Sequence, residues 1–271
     1  MTVDGKIGLY FYVDLHQFTA NPTISFTCND STTTAALVES ESGQYRAAYY
    51  VAPKEMGDTI TAMVNAGNKT NTESYSVKQY LVSVVRNENG EAGTQKPAQL
   101  QALARSMLNY GAKAQLQFNY KTGDYDLVDY GLDSYTPASP SEISKISYTK
   151  DQFAAFGVSF SGSSLLLNDD TTLRLFFKKT ESFSSAPTLS CNGNVLSQGT
   201  KGEYLTYDLA FIPAPNVLDT HSVAISNGTN STTGSFTIRN YILNNYSKEG
   251  TLGDVVTALY DYSVKSSAYL Y

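Results

Sequence analysis

The feature that most constrains this chain is that it matches itself. Residues 50–85 align without a gap on residues 211–246. Within that match Asp58-Thr59 falls on Asp219-Thr220, Ala62-Met63-Val64 on Val223-Ala224-Ile225, Gly67 on Gly228, and Tyr75-Ser76-Val77-Lys78-Gln79-Tyr80 on Phe236-Thr237-Ile238-Arg239-Asn240-Tyr241. Upstream, Ile7 to Phe11 matches Leu173 to Phe177, and Pro22-Thr23-Ile24 matches Pro187-Thr188-Leu189; downstream, Asn109 to Lys113 matches Asp261 to Lys265. A repeat of apolar pattern and turn glycines over such a span reads as one unit present twice. A chain of 271 residues then gives each copy the length of an ordinary domain of roughly 100–150 residues.

Each copy has the same local pattern. Ile7, Leu9, Phe11 and Val13 alternate with Gly8, Tyr10, Tyr12 and Asp14, the period of a half-buried strand, and Leu173, Leu175 and Phe177 repeat it. Residues 23–28, 44–52 and 59–65 continue as strands, separated by turn chemistry at Asn29-Asp30, Ser42-Gly43 and Ala66-Gly67-Asn68. Val77, Tyr80, Leu81, Val84 and Val85 fall at helical spacing behind Ser76, a plausible N-cap, and residues 238–246 form the counterpart. A Gly/Asn/Glu-rich loop over 87–96 follows. A helix then begins at Pro97 and runs to Phe118, with Leu100, Leu103, Ala104, Met107, Leu108 and Ala114 on one face; Val255, Val256, Leu259 and Tyr262 make the equivalent stripe.

The expected fold is mainly β with helices (α+β): two repeated lobes, each a β-sandwich followed by packed α-helices. Their expected bounds are 1–120 and 141–271, with a Gly-, Asp-, Tyr- and Pro-rich ordered linker over 121–140. The second copy carries extra strand-like residues, 153–160 and 165–167, with no counterpart before Thr2. The first sheet is therefore expected to be one strand short, or to borrow an edge from the other lobe.

Composition narrows the function. Charged residues make up 16% and the net charge is -6, so nothing supplies the basic surface that nucleic acid or an anionic membrane requires. No apolar run reaches the roughly 18 residues needed to span a bilayer. Scarce charge with abundant Thr, Ser, Asn and Tyr suits an extracellular bacterial module, secreted or attached to a cell surface. Met1-Thr2-Val3-Asp4-Gly5-Lys6 lacks the basic-then-apolar order of a secretory leader, so an excised module and a cytosolic protein are the two readings of that end. The Asn-x-Ser/Thr triplets at Asn29, Asn68, Asn227, Asn230 and Asn245 are those expected by chance in such a composition.

No enzyme constellation stands out, and no cofactor is expected. His16 and His221 occupy non-equivalent positions, with His221 opposite Ile60 in the repeat. The pairs Asp169-Asp170 and Glu39/Glu41 are turn-like, not two carboxylates held about 5–10 Å apart across a sugar. Asp124, Asp126, Asp129 and Asp133 fit no calcium loop and read as a solvated acidic segment. Cys28 and Cys191, at nearly equivalent positions, read as two buried thiols.

The 21 tyrosines are the informative class. A sugar ring offers an apolar C–H face and a rim of hydroxyls, which a phenol matches by stacking and hydrogen bonding together. Aromatics shared by both copies, Tyr75/Phe236, Tyr80/Tyr241, Tyr110/Tyr262 and Tyr50/Phe211, are read as packing residues. The unshared ones are the ligand-binding candidates: Tyr10 and Tyr12 on the outward phase of the first strand, Tyr45 and Tyr49 on the phase opposite Tyr50, and Tyr125, Tyr130 and Tyr135 between the lobes. Tyr204 and Tyr207, with Tyr269 and Tyr271, form a second set. A groove between lobes is the expected place for the ligand.

The runs Tyr50-Val51-Ala52-Pro53-Lys54-Glu55-Met56-Gly57-Asp58-Thr59, Tyr75 to Tyr80 and Met107-Leu108-Asn109-Tyr110-Gly111-Ala112 resemble a module common in surface and cellulosome-like proteins of gut Firmicutes. The two-copy form is similar to the starch-binding modules of the ruminococcal starch adherence system, the amylosome. The resemblance implies a non-catalytic carbohydrate-binding module whose partner is starch or a maltooligosaccharide, beside other scaffold modules of a parent protein. The alternative is a structural or protein-interaction spacer of a surface scaffold. With no Trp in the chain, stacking falls to Tyr and Phe.

Overall fold

The structure, a computed structural model, describes residues 6–17, 22–40, 43–87, 96–148, 151–182 and 185–271. Most of the expected 87–96 loop, Glu41 and Ser42 lie outside the described residues. The chain divides into two compact units, Met1–Tyr135 and Thr136–Tyr271. It is mainly β, with antiparallel sheets and, among the described residues, four α-helices.

The first unit contains β1 (Ile7–Val13), β2 (Thr23–Cys28), β3 (Ser31–Ala35), β4 (Val38–Glu39), β5 (Tyr45–Val51), β6 (Ile60–Ala66), β7 (Lys69–Tyr75), α1 (Val77–Val85) and α2 (Ala98–Gln117). Its sheets have the orders β1-β5-β4 and β3-β2-β6-β7. Phe26 of β2 meets Phe11 of β1 and Tyr49 of β5, with ring centroids 5.3 and 5.4 Å apart, so the two sheets share a core. The β2–β3 hairpin turns on Asn29 and Asp30, with φ of 48° and 61°, a two-residue loop of the type that Asn and Asp tolerate. Ser76 caps α1 by accepting from the Gln79 N–H.

The second unit contains β8 (Val158–Leu166), β9 (Thr172–Lys179), β10 (Thr188–Cys191), β11 (Asn194–Val195), β12 (Ser197–Lys201), β13 (Tyr204–Leu209), β14 (His221–Ser226), β15 (Ser231–Phe236), α3 (Arg239–Asn245) and α4 (Thr251–Leu270). Its sheets have the orders β12-β13-β9-β8 and β11-β10-β14-β15. Phe153, Phe160, Phe177 and Phe236 form its aromatic centre, with centroids 5.0–6.3 Å apart. Tyr148 packs on Phe160 and donates its hydroxyl to the Thr237 carbonyl.

Among the described residues the sheet holding β1 has three strands, with β1 at its edge; the sheet holding β9 has four, because β8 pairs along β9. Both thiols are free and buried at the ends of β2 and β10, and burial pushes each above the usual thiol range. Tyr110 and Tyr262 are buried in α2 and α4, as packing residues should be. Tyr50 and Phe211 are not such a pair. Tyr50 stands in β5 opposite Gly8, whereas the residue opposite Arg174 in β13 is Asp208, and Phe211 lies beyond the strand at φ 57°. Only Ala52 separates β5 from the 3-10 turn at Pro53–Glu55, whereas residues 210–213 separate β13 from the turn at Ala214–Asn216. Both aromatics are exposed, so neither packs a core.

Candidate functional site

After α2 the chain must reverse, and Asn119 and Lys121 adopt φ of 51° and 47° to do so. The segment that follows is polar and carries no regular structure, yet it is held at several points. Gln115, buried in α2, donates from Nε2 to the carbonyls of Lys121 (3.4 Å) and Asp126 (3.2 Å), and its Oε1 accepts from the Val128 N–H at 2.9 Å. Lys78 Nζ of α1 donates to the Leu127 carbonyl at 2.9 Å. Val128 is fully buried, within reach of Gly57 and Gly111; a Cβ on Gly111 would stand 2.3 Å from Met56 Cε and 2.9 Å from Val128 Cγ2. The buried Asp58 carboxylate accepts from Lys121 Nζ (2.6 Å), Tyr120 Oη (2.6 Å) and Asn29 Nδ2 (2.5 Å), and its bond with Lys121 is the main reason that ammonium is raised above its ordinary pKa. Burial pushes the Asp129 carboxyl up, opposed by Lys113 and Lys78.

On this pinned loop stand Tyr125, 76% exposed, and Tyr130, 49% exposed, with centroids 4.9 Å apart and planes at 61°. Polar neighbours that could meet hydroxyls are at hand in Asp124 and Asp126, both exposed. Two rings held toward water by a fixed backbone form a platform that a ligand can cover with little ordering cost.

The other candidate tyrosines divide between surface and core. Tyr10 and Tyr12 lie on the outward face of β1. Tyr10 is covered by the Arg46 guanidinium at 4.0 Å, while Tyr12 is 55% exposed. Both border a cavity of about 650 Å³ that also reaches Asp14, Asn71, Glu73 and Tyr80. Tyr45 is half-buried and its hydroxyl lies 3.4 Å from Glu39 Oε2. Tyr49 faces inward onto Phe26, and its hydroxyl is bonded to Cys28; its phase in β5 is the core phase, shared with Ala47 and Val51. Tyr135 is half-buried. Tyr204 is half-buried against Phe176, and Tyr207 is a core residue, 1% exposed, whose hydroxyl donates to the Pro187 carbonyl at 2.6 Å. The structure thus places Tyr207 in the core and not on a ligand surface: its ring packs on Phe177, 5.8 Å between centroids, on the covered face of β13. Tyr269 and Tyr271 end α4, exposed.

Gln115, Lys78 and Asp58 position the Tyr125–Tyr130 platform, and the sequence reading passes over that role for all three. Asp58 and Lys78 carried a signal, as members of the matches that recur at Asp219-Thr220 and at Arg239; Gln115 carried none. Among the described residues no group of three or more His, Cys, Asp or Glu stands close enough to hold a metal ion, and no helix is long and apolar enough to cross a membrane.

No protein-family model and no curated protein matches the chain. Among solved structures, it is similar to a chimeric titin Z1Z2-Z1Z2 tandem functionalised with a GRGDS peptide from fibronectin, at 8% identity over 85% of this chain and 88% of that one; the TM-score of 0.20 is too low to carry an argument.

Proposed function

We propose that the chain is a non-catalytic carbohydrate-binding module that takes a starch-type α-1,4-glucan on tyrosine rings, and that its two units are copies of one ancestral fold. The observation that supports sugar binding best is the Tyr125–Tyr130 pair, exposed at 4.9 Å on a loop that buried hydrogen bonds hold still. A neutral polysaccharide suits a chain with 16% charged residues. Duplication is supported by strand order: β4-β5-β1 with β3-β2-β6-β7 in one unit, β12-β13-β9 with β11-β10-β14-β15 in the other. In this reading the module works outside the cell, within a secreted or surface-attached scaffold.

Titration calorimetry with maltoheptaose tests it. We expect micromolar binding, weakened about tenfold by Tyr125→Ala or Tyr130→Ala, equivalent to about 1.4 kcal/mol of lost ring contact per tyrosine. Melting temperatures should stay within a degree or so of the parent, since both rings are exposed. Absence of heat with maltoheptaose and with soluble starch overturns the proposal.

A further inference from the structure

We infer that the first unit closes an amide cross-link within itself: Lys121 Nζ attacks the side-chain amide of Asn29, Asp58 moves the protons, and ammonia leaves. All the residues concerned belong to one unit, and the chemistry is independent of what the tyrosine platform binds.

Three side chains far apart in the sequence meet here. Asn29 lies on the β2–β3 turn, Asp58 just ahead of β6, and Lys121 after α2. Asp58 bridges the other two: its Oδ1 accepts from Lys121 Nζ at 2.6 Å and its Oδ2 from Asn29 Nδ2 at 2.5 Å, while Nζ stands 3.5 Å from Asn29 Oδ1. An amine, an amide and a carboxylate touching both are therefore already assembled, and holding reactants in place in this way stands in for a high effective concentration. Tyr120 completes the set. Its hydroxyl donates to Asp58 Oδ2 at 2.6 Å and accepts from Asn29 Nδ2 at 3.1 Å, which keeps the leaving nitrogen against the acid that must protonate it. The Asp58 side chain is 2% exposed, so water competes little for its oxygens, whereas the 48% exposed side chain of Lys121 leaves ammonia a way out. Lys121 also holds a φ of 47°, a conformation that Gly or Asn adopts at lower cost, so the turn alone does not explain a lysine at this position.

The step balances without a cofactor. The Lys121 ammonium passes one proton to Asp58, and the freed amine adds to Asn29 Cγ. Asp58 returns that proton to Nδ2 and takes a second from Nζ; the Cγ–Nδ2 bond breaks as the Nζ–Cγ amide forms. Ammonia collects the second proton and leaves as ammonium, Asp58 ends as a carboxylate, and nothing is oxidised or reduced. Because Asp58 also favours the ammonium in the resting pair, the amine is the minor form and closure is expected to be slow relative to folding. The product ties together residues 92 positions apart, which restricts the unfolded chain and fastens the base of the Tyr125–Tyr130 loop to the β2–β3 turn.

Intact-mass measurement on the full chain, folded, incubated and then denatured, tests the inference. The expected species is lighter than the sequence by one ammonia, and proteolysis should yield two peptides joined through Asn29 and Lys121. Lys121→Arg, which keeps a cation beside Asp58, and Asp58→Asn should each retain the full mass. Peptides carrying Asn192, which turns the β10–β11 hairpin at φ 49°, should stay unjoined. Full mass after prolonged incubation of the folded parent overturns the inference. So does a loss of ammonia that persists in Lys121→Arg, which belongs to succinimide formation at an asparagine.

Discussion

His221 shows how much a single position can carry. It occupies the place of Ile60, the first residue of its strand, and burial pushes its imidazole below the usual 6.5, with Asp219 opposing. Its Nε2 is buried and finds no hydrogen-bond partner among the described residues. The unfolded chain takes up the proton first as pH falls through about 6.5, so the folded state loses stability below that pH and keeps it above. Melting between pH 8 and 5 should show a steeper fall for the parent than for His221→Ile; parallel curves would refute the linkage. The repeat sets His221 opposite Ile60, and both begin their strands, but pattern alone cannot show the depth at which a ring nitrogen sits. The same limit explains Tyr207. Whether a strand phase faces core or solvent depends on which sheet covers it, and in β13 the covered phase holds both Leu205 and Tyr207.

Helices and turns were the more legible elements, because their signals are local. The Ser76 cap, the start of α2 behind Pro97 and the Asn29-Asp30 hairpin all follow from residues within a few positions of one another. The short strands β3, β4, β11 and β12 were not legible, since their residues are mostly exposed and polar and alternate with nothing. The seat of α2 is a tertiary matter. Gly111 lies where Met56, Val128 and the Pro53 carbonyl converge, and the repeat has Ser263 at its counterpart, so no turn or cap explains the glycine from sequence. Gly111→Ala gains helix propensity of about 1 kcal/mol but forces a methyl group into filled space at a cost of about 1–3 kcal/mol. Urea titration should show a net loss of up to about 2 kcal/mol, and a stabilised variant would show that the contact relaxes freely.

Each unit holds its own buried core, from Ile24, Phe26, Ile60 and Leu103 in the first and from Phe153, Phe177, Leu189 and Phe236 in the second. Residues 1–135 and 136–271 expressed apart should each unfold cooperatively, the first at the lower temperature because, among the described residues, its smaller sheet has three strands where each sheet of the second has four. A half that shows no melting transition would contradict this. The repeat marks where the shared part of the first unit stops, near residue 120, but is blind to residues 121–135, whose one fully buried side chain is Val128 in a run of Asp, Gly and Tyr. That segment closes the first unit, and residues 136–166 open the second with Tyr148, Phe153 and β8. If the units are copies, these two additions are neighbours in the chain. Most of what distinguishes one copy from the other then entered at a single seam, where new residues could lengthen both units without breaking a strand of either.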